Sequence, residues 1–492
     1  MKRAHIKFKY LALGLMIAIG LSTSGALATL SVMQSTTNLT LDGKTIDPSA
    51  YAVNGYNYFK LRDLAAALDF GVTYDNATST AAIVSGDHYK PESTQMITGN
   101  WAPATRARIQ SVIDANANKG RYVVFDFDNT SAIFDVQEAL LIYQVENLIF
   151  KIEPAKMKAV LETGIPDLTK SIGKNADGKS ITVNDVVADL VSSYTWIYNN
   201  YSGMKGTKDL KYIHATNQYQ DFSAKIRFMY NNLGDYFDHA VSYPWVTYLF
   251  TGMTPAEVQE MAAASHKYWS TYGRYATETW TSPIELPGKA GVLSADFITG
   301  VTFTDELIDL YHTIAANGID IYIISASPID TILAANKAMG YGVPEERVFA
   351  MRNKLDANGR YINEYDYNWG GEGKYAQTQG PGKSTVITNF IAPKYKGVGP
   401  LVVFGDSAGD MNMMTDWMDK GDTQLGVIFN RYRNPSSDPL TWAASVKAVE
   451  QMGKPDAKFV LQGRDDNKGQ LRPTEYTIRL GTDKEVLVRP AP

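Results

Sequence analysis

Three short, mainly apolar segments, each with acidic or hydroxyl side chains at its end or just after it, constrain the fold of this chain more than any other feature. They span residues 121–127, 319–324 and 400–404, and helical patterns lie between them. Apolar strands that alternate with helices are typical of an α/β domain with a parallel sheet. We therefore predict an α/β fold built on a doubly wound, Rossmann-like parallel sheet.

The segment before the second strand shows the signals of a well-defined helix. Thr304 can cap its N-terminus, and Asp305 and Glu306 suit the positive end of the helix dipole. Leu307 begins an apolar stripe at helical spacing, and Gly318 can end the helix. A helix followed by a glycine and a strand predicts a right-handed crossover connection.

A chain of 492 residues exceeds what one hydrophobic core usually organises, so we expect several domains. About 190 residues separate the first two strands, far more than a crossover needs. An insertion of this size beside a sheet edge suggests a cap over an active site. The predicted divisions are a signal peptide (1–28), a small α+β domain (30–87), a linker (88–100), a core (101–135 and 301–492) and a helical cap (136–300).

The first residues have the pattern of a secretory signal. Residues 2–9 hold four Lys or Arg and no acid, residues 11–21 are apolar, and an Ala-Leu-Ala run ends at Ala28. This pattern predicts cleavage after Ala28 and a secreted or cell-surface protein, with an uncleaved anchor helix as the alternative.

Charge and composition exclude several classes of site. The formal net charge is −5, and removal of the predicted signal makes it four units more negative, which argues against a nucleic-acid partner. The chain has no Cys, which excludes thiol catalysis and disulfides. Its six His residues are scattered without a paired spacing, so the sequence also argues against zinc.

Asp126 and Asp128 end the first predicted strand. Side chains alternate along a strand, so the two carboxylates should point the same way at the ligand-binding edge of the sheet. Two acids at a strand end are, by themselves, also typical of an exposed turn. They become informative only together with other groups.

Four further side chains stand at the ends of later elements. Ser325 lies at the tip of the second strand, Lys383 at the start of a predicted helix, and Asp406 and Asp410 follow the third strand. A hydroxyl and an ammonium can bind phosphate oxygens, and carboxylates can hold a hard cation.

In this order, the four elements resemble the four motifs of the haloacid dehalogenase superfamily of phosphatases, over about residues 119–450. The position of the insertion is similar to that in the phosphorylcholine phosphatase and phosphoserine phosphatase-like branches. Asn129 matches the phosphorylcholine-type pattern more than the phosphoserine type.

The resemblance implies a role for each of these residues. Asp126 would be the nucleophile, forming an aspartyl-phosphate, and Asp128 the general acid and base. Ser325 and Lys383 would bind the phosphoryl oxygens of a small phosphate ester, with support from Thr130. The Mg²⁺ ligands would be Asp126, the backbone carbonyl of Asp128 and Asp406, with Asp410 either a further ligand or a residue that holds the ligands in place.

Residues 52–68 resemble the copper amine oxidase N-terminal-like stalk domains of bacterial surface proteins. That resemblance implies a small extracellular module and association with a cell surface through the N-terminal domain. It does not imply copper, because no cluster of His or Cys lies in this segment.

The predicted cap is rich in aromatic residues, which could form a cage for a quaternary ammonium group such as choline. The alternative is that they pack the cap core. Asp135 and Glu138 could meet a cationic substrate, although surface exposure explains them equally well. The aromatic set is Tyr194, Trp196, Tyr198, Tyr201, Tyr243, Trp245, Tyr248, Tyr268, Trp269, Tyr272 and Trp280.

Other functions remain open from the sequence. A phosphoserine-type phosphatase would use the same residues, and a phosphotransferase would pass the phosphoryl group to an alcohol instead of water. A non-catalytic surface binding module would be expected to lack at least one motif acid. All four acids are present, which favours an enzyme.

Overall fold

The computed structural model describes residues 32–35, 37, 39–41, 44–46, 50–53, 56–68, 71–75, 80–84, 93–367 and 377–488. The chain divides into two compact units, Met1–Pro91 and Glu92–Pro492. The predicted signal peptide lies outside the described residues. No helix in these ranges is both long and apolar enough to cross a membrane.

The first unit is a small α+β arrangement. Its elements are β1 (Val32–Gln34), β2 (Leu39–Leu41), β3 (Lys44–Ile46), β4 (Ala50–Val53), β5 (Tyr56–Phe59), α1 (Leu61–Leu68), β6 (Gly71–Asp75) and β7 (Thr80–Val84). A three-stranded antiparallel sheet has the order β1-β4-β5, and two antiparallel pairs join β2 to β3 and β6 to β7.

The second unit holds the remaining helices. They are α2 (Pro103–Asn116), α3 (Val136–Glu146), α4 (Pro154–Glu162), α5 (Val183–Asn200), α6 (Leu210–His214), α7 (Asn217–Tyr236), α8 (His239–Tyr248), α9 (Pro255–Thr271), α10 (Asp305–Ala316), α11 (Ile329–Met339), α12 (Pro381–Val386), α13 (Ala408–Thr415) and α14 (Pro439–Glu450). Short 3₁₀ or π segments occupy Glu345–Arg347, Ile387–Ile391 and Ala392–Tyr395.

The same unit contains a central sheet and several short strand pairs. Its strands are β8 (Tyr122–Phe125), β9 (Ser171–Lys174), β10 (Ser180–Thr182), β11 (Thr277–Thr281), β12 (Ser294–Ile298), β13 (Asp320–Pro328), β14 (Val348–Met351), β15 (Asn353–Leu355), β16 (Tyr361–Tyr365), β17 (Val402–Gly405), β18 (Leu425–Phe429), β19 (Phe459–Gln462), β20 (Arg464–Asp465), β21 (Gln470–Leu471), β22 (Thr477–Ile478) and β23 (Glu485–Val486).

A six-stranded sheet of order β14-β13-β8-β17-β18-β19 forms the centre of this unit, and all of its strand pairs are parallel. The four residues of β8 are fully buried because helices cover both faces. Val123 and Phe125 pack with α2, α10 and α11, whereas Tyr122 and Val124 pack with α12, α13 and α14. This confirms the predicted doubly wound α/β fold.

The helix predicted before the second strand is α10. Thr304 caps it by accepting a hydrogen bond from the Leu307 N–H, and Leu307, Leu310 and Ile314 are fully buried. Gly318 follows with φ +65°, a left-handed conformation that favours glycine. The helix–glycine–strand crossover is therefore confirmed.

The inserted segment between β8 and β13 is mainly helical and has its own apolar core. Helices α5 and α9 each begin with a capping box, formed by Thr182 with Asp185 and by Thr254 with Glu257. Two antiparallel pairs, β9 with β10 and β11 with β12, complete the cap.

The structure differs from the prediction at the linker assigned to residues 88–100. Its described part, 93–100, belongs to the second unit, which begins at Glu92: Met96 is 1% exposed and its N–H donates to Gln110 Oε1. The Ile97 N–H donates to Asp309 Oδ2. Polar composition predicted a linker here, but these backbone groups find fixed partners on α2 and α10.

The C-terminal strands belong to the second unit. Strand β19 completes the edge of the parallel sheet. Strands β20 to β23 form a separate small sheet of order β21-β20-β22-β23.

Candidate active site

Asp126 stands directly after β8, in the middle of the sheet. Its N–H donates to the carbonyl of Phe404 on β17, at 3.0 Å, so the ends of these two strands are held together. Asp406 follows β17 in the same way. The carboxyl ends of parallel strands meet at one edge, and both acids lie there.

The loop after Asp126 is folded back on itself. The carbonyl of Phe127 accepts hydrogen bonds from three successive N–H groups, those of residues 130–132. Asn129 adopts φ +59°, which Asn tolerates better than most residues. Thr130 Oγ1 lies 3.5 Å from Asp126 Oδ2, so this predicted residue supports the loop and the carboxylate.

Ser131 is a supporting residue that the sequence did not single out. Its Oγ donates to the backbone carbonyl of Asp126 at 2.6 Å and lies 2.6 Å from the hydroxyl of Tyr311. These contacts fix the backbone that carries Asp126.

Lys383 is buried between two of the predicted acids. Its Nζ lies 2.5 Å from Asp126 Oδ1 and 2.7 Å from Asp410 Oδ1. Burial alone lowers the pKa of a lysine, but these two carboxylates outweigh it, so the pKa of Lys383 is raised and the ammonium is retained. As predicted, Lys383 lies on a short helix, α12, and faces the nucleophile candidate.

Asp410 organises the start of α13. Its Oδ2 accepts hydrogen bonds from the N–H groups of Asp406 and Ser407, at 2.9 and 3.1 Å. The backbone of Gly405 lies close to the side chain of Asp410: a Cβ added at position 405 would be 2.6 Å from the Asp410 Cβ. Only glycine therefore fits at position 405, and Asp410 Oδ1 remains to face Lys383.

Three of these carboxylates fit a divalent cation. One carboxylate oxygen each from Asp126, Asp406 and Asp410 lies within 4.8 Å of the others. Burial, together with the charge of Asp410, raises the pKa of Asp126 well above its usual range despite Lys383. A hard cation that prefers oxygen ligands, such as Mg²⁺, would offset this excess of buried negative charge. The predicted contribution of Asp128 is a backbone carbonyl, so its side chain is not required in this group.

Asp128 lies beside Asp126 with both oxygens hydrogen-bonded. Oδ1 accepts from the Val136 N–H at 2.7 Å, and Oδ2 accepts from Ser327 Oγ at 2.5 Å. Burial, then the charges of Asp135 and Asp126, raise the pKa of Asp128 well above its usual range. A raised pKa is the direction that the general-acid role implied by the resemblance requires.

Ser325 and Ser327 occupy the end of β13 at different depths. Ser325 is fully buried below the cavity, where its Oγ accepts from the Ser327 N–H and lies 3.4 Å from Asp128 Oδ2. Ser327 is on the cavity wall. Sequence reasoning did not single out Ser327, although its position two residues after Ser325 on the same strand was a signal that it faces the same way. The phosphate-binding role of Ser325 stays a prediction.

A cavity of about 900 Å³ lies over these groups. Its wall joins the sheet edge, including Asp126 and Lys383, to side chains of the inserted cap, including Tyr230 and Tyr243. The cap therefore bounds the space in which a substrate would meet Asp126.

Comparisons with known proteins agree with this geometry. No family profile matches the chain. The phosphorylcholine phosphatase of Pseudomonas aeruginosa is 26% identical to it over 266 residues, which are 52% of this chain and 56% of that protein. The chain is similar to a phosphorylcholine phosphatase. It spans about half the length of this curated relative, and the similarity agrees with the resemblance drawn from the four motifs.

A solved structure shares the fold over a longer range. A conserved protein of unknown function from Anaerococcus prevotii is 26% identical, with a TM-score of 0.69. The match covers 78% of this chain and 99% of that one. The α/β fold with its inserted cap is thus found in a protein of known structure.

Most of the aromatic set lies away from the cavity, as expected from the alternative in which these residues pack the cap core. The structure describes the whole aromatic set, and Tyr243 is the only one of it that lines the cavity. Tyr194, Trp245 and Trp269 are buried at 2% exposure or less, so they pack the interior instead. Tyr230 lines the cavity and was missed, because its position in α7 looks like an ordinary packing position.

Asp135 and Glu138 do line the cavity, as proposed for a cationic substrate. Asp135 caps α3 by accepting from the N–H groups of Gln137 and Glu138, both at 2.9 Å. Burial, and secondly the charge of Glu138, raise the pKa of Asp135 to about 7. Glu138 itself pairs with Arg227 at 2.9 Å, which offsets part of its charge.

Arg431 and Arg433 are cavity residues that the sequence reasoning missed. Arg431 Nη1 and Arg433 Nη2 donate to Asp406 Oδ2 at 2.7 and 3.1 Å. Burial opposes ionisation of Asp406, but the two guanidinium groups outweigh it and lower its pKa. The available signal was a pair of arginines two residues apart, directly after an apolar strand.

Proposed function

We propose that this chain is a Mg²⁺-dependent phosphatase that hydrolyses a small phosphate monoester through an aspartyl-phosphate on Asp126. The observation that carries the proposal is that five polar side chains meet at one edge of the sheet, beneath one cavity. The converging side chains are Asp126, Asp128, Lys383, Asp406 and Asp410.

In the first step, a carboxylate oxygen of Asp126 attacks phosphorus, and the bond from phosphorus to the ester oxygen breaks. Asp128 donates its proton to the departing alkoxide, which leaves as the alcohol. The raised pKa of Asp128 keeps that proton available. In the second step, Asp128 takes a proton from the water that attacks phosphorus, and Asp126 is released with inorganic phosphate.

Phosphoryl transfer needs positioning and positive charge more than further covalent chemistry. Lys383 holds Asp126 in place and can donate to a phosphoryl oxygen next to it. The groups that would hold Mg²⁺ are Asp126, Asp406, Asp410 and the carbonyl of Asp128, and the bound ion supplies charge that neutralises the phosphoryl oxygens.

The favoured substrate carries a small cationic group, as phosphocholine does. Acidic side chains outnumber Lys and Arg on the cavity wall. Asp135, which precedes α3, lines the same cavity as Asp126, together with Tyr230 and Tyr243 of the inserted segment. Aromatic faces and a carboxylate together attract a quaternary ammonium. The similarity to the phosphorylcholine phosphatase of Pseudomonas aeruginosa supports the same choice.

The charge of Asp135 predicts a pH dependence of substrate affinity. Its pKa is raised to about 7, so the carboxylate is mostly neutral below pH 7 and mostly ionised above it. KM for phosphocholine should therefore fall about tenfold as the pH rises through 7, a change equivalent to about one pKa unit of interaction. KM for p-nitrophenyl phosphate, whose leaving group has no positive charge, should lack this change.

The matched variant is Asp135→Asn, because Asn is also a good N-cap and should leave α3 intact. Its KM for phosphocholine should be high and independent of pH across this range. An unaltered pH profile of KM in this variant would exclude Asp135 as the group that meets the cation.

A substrate panel tests the proposed activity. Phosphocholine, phosphoethanolamine and phosphoserine are assayed with Mg²⁺ and with a chelator, and we expect phosphocholine to have the highest kcat/KM and the chelator to stop turnover. Equal kcat/KM across the panel would contradict the cationic substrate. Preference for phosphoserine would instead favour the phosphoserine-type alternative, and no activity on any ester would favour a binding module.

Hydrolysis and transfer share the first step. Adding an acceptor alcohol and comparing free phosphate with phosphorylated acceptor separates them. We expect free phosphate to equal the ester consumed. A phosphorylated acceptor as the main product would make the chain a phosphotransferase.

We also propose that the protein is secreted or held at the cell surface. The basic and apolar start ending at Ala28 supports export, and the resemblance of residues 52–68 to stalk domains supports surface association. N-terminal sequencing of the exported protein should begin at residue 29. Recovery of the intact N-terminus in the membrane fraction would show an uncleaved anchor.

A further inference from the structure

Arg431 and Arg433 both bind Asp406, a residue to which the proposed function assigns a metal-binding role. They belong to a short segment after β18, residues 431–433, called here the arginine turn. Both guanidinium groups donate to the same oxygen, Asp406 Oδ2, at 2.7 and 3.1 Å. Arg433 Nε also lies 3.4 Å from the backbone carbonyl of Asp406. Because Oδ2 is used twice, Oδ1 is left as the oxygen for a cation.

The backbone of the arginine turn is strained at its centre. Tyr432 has φ +53°, a left-handed conformation that costs a non-glycine residue about 1–2 kcal/mol. The Tyr432 N–H donates to Asn430 Oδ1 at 2.9 Å, and its ring packs edge-on against Trp442, with centroids 6.1 Å apart. Such conformations persist where the surroundings enforce them, and they cluster at functional sites.

The small C-terminal sheet fixes the residue before the turn. Asn430 Nδ2 donates to the carbonyl of Glu475 at 2.8 Å, and Thr477 Oγ1 donates to the carbonyl of Asn430. Thr477 is in β22. The strained turn is thus attached to a second element besides the parallel sheet.

Asp438 fixes Arg433 from the other side. Its Oδ2 lies 3.5 Å from Arg433 Nε and accepts from the Ala408 N–H at 3.1 Å, at the first residue of α13. Its Oδ1 accepts from the Thr441 N–H and caps α14. Arg433 is therefore tied to the helix that carries Asp410 as well as to Asp406.

We propose that the arginine turn is a positioning element for divalent-cation binding: Arg431 and Arg433 hold Asp406 so that Oδ1 faces Asp126 and Asp410. This inference rests on the proposed function. Hydrogen bonds that orient a metal ligand typically change metal affinity or activity by about 10- to 100-fold when they are removed. The planar fork of arginine can hold one oxygen in a fixed direction, whereas lysine supplies charge without that geometry.

The test measures Mn²⁺ binding to the full chain by electron paramagnetic resonance, without substrate. Arg431→Lys and Arg433→Lys are each expected to weaken Mn²⁺ binding about tenfold, although they retain the charge. Arg347→Lys is the matched control, because Arg347 is exposed to a similar extent (29% against 28%) and also donates to an aspartate at 2.7 Å. Its partner, Asp320, lies at the other end of β13, so Mn²⁺ affinity should not change.

Unchanged Mn²⁺ affinity in both arginine variants would overturn the inference. If KM also increased in those variants, the arginines would contact substrate instead of positioning Asp406. Failure of both lysine variants to fold would make the turn purely structural and would also overturn it. A wild-type chain that binds no Mn²⁺ would instead refute the metal site of the proposed function.

Discussion

Replacement of Asp126 by Asn is expected to abolish turnover, with kcat falling at least about 1,000-fold, while the chain stays folded. Loss of a covalent nucleophile removes the reaction path itself, because the amide oxygen of Asn cannot form the aspartyl-phosphate. Asn has nearly the same shape and can still accept from Lys383 Nζ, which lies 2.5 Å from Asp126 Oδ1. The site should therefore lose chemistry and retain its geometry.

The measurement is the initial rate of phosphate release, together with thermal unfolding of each variant. Asp330→Asn is the matched control, since Asp330 is also buried, at 3% exposure, but pairs with Tyr361 and Gln259 outside the cavity. The control should retain kcat. If Asp126→Asn keeps most of the wild-type kcat, another group attacks phosphorus and the proposed mechanism is wrong.

Replacement of Lys383 by Met should destabilise the fold and stop turnover. Without Nζ, Asp126 and Asp410 face each other as buried carboxylates with no cation between them. Breaking a buried ion pair by removing one partner costs about 3–5 kcal/mol. The loss should be smaller at acidic pH, because the raised pKa of Asp126 lets the carboxyl become neutral there.

The free energy of unfolding is measured by denaturant titration in the presence of a chelator, so that added metal does not replace the missing charge. Lys354→Met is the control, because Lys354 pairs with Glu364 at the surface and its removal should leave the unfolding midpoint unchanged. Equal stability of wild type and Lys383→Met would show that the ammonium is not needed to hold the two acids together.

The central strands could be predicted from sequence because burial on both faces demands continuous apolar residues. Tyr122 to Phe125 have no charged member, and their two faces pack in different cores. Helix α10 was predictable for a different, local reason: Thr304 caps its start, and Gly318 follows its end. The packing of residues 93–100 was not predictable, because the Ile97 N–H finds its acceptor on Asp309, far along the chain.

The motif acids could be predicted because parallel strands share one ligand-binding edge. Asp126 and Asp406 had to lie close together once β8 and β17 were neighbours. Arg431, Arg433 and Tyr230 could not be placed, since their positions depend on a strained turn and on how the cap covers the sheet.

The aromatic cap shows why composition was a poor guide to the substrate site. Trp245 and Trp269 donate their Nε1–H groups to the backbone carbonyls of Leu161 and Ala139, both at 2.8 Å, inside the protein. Aromatic residues stabilise helix packing and bind cations with the same side chains, and only tertiary position separates these roles.

The most direct test of the account is to trap the phosphorylated enzyme. The protein is mixed with phosphocholine and Mg²⁺, quenched in acid during turnover, digested and analysed by peptide mass spectrometry. We predict a phosphoryl group on the peptide that contains Asp126, and none on that peptide in Asp126→Asn. A phosphoryl group on a different residue, or continued turnover with no phosphorylated peptide at any time, would contradict the aspartyl-phosphate mechanism.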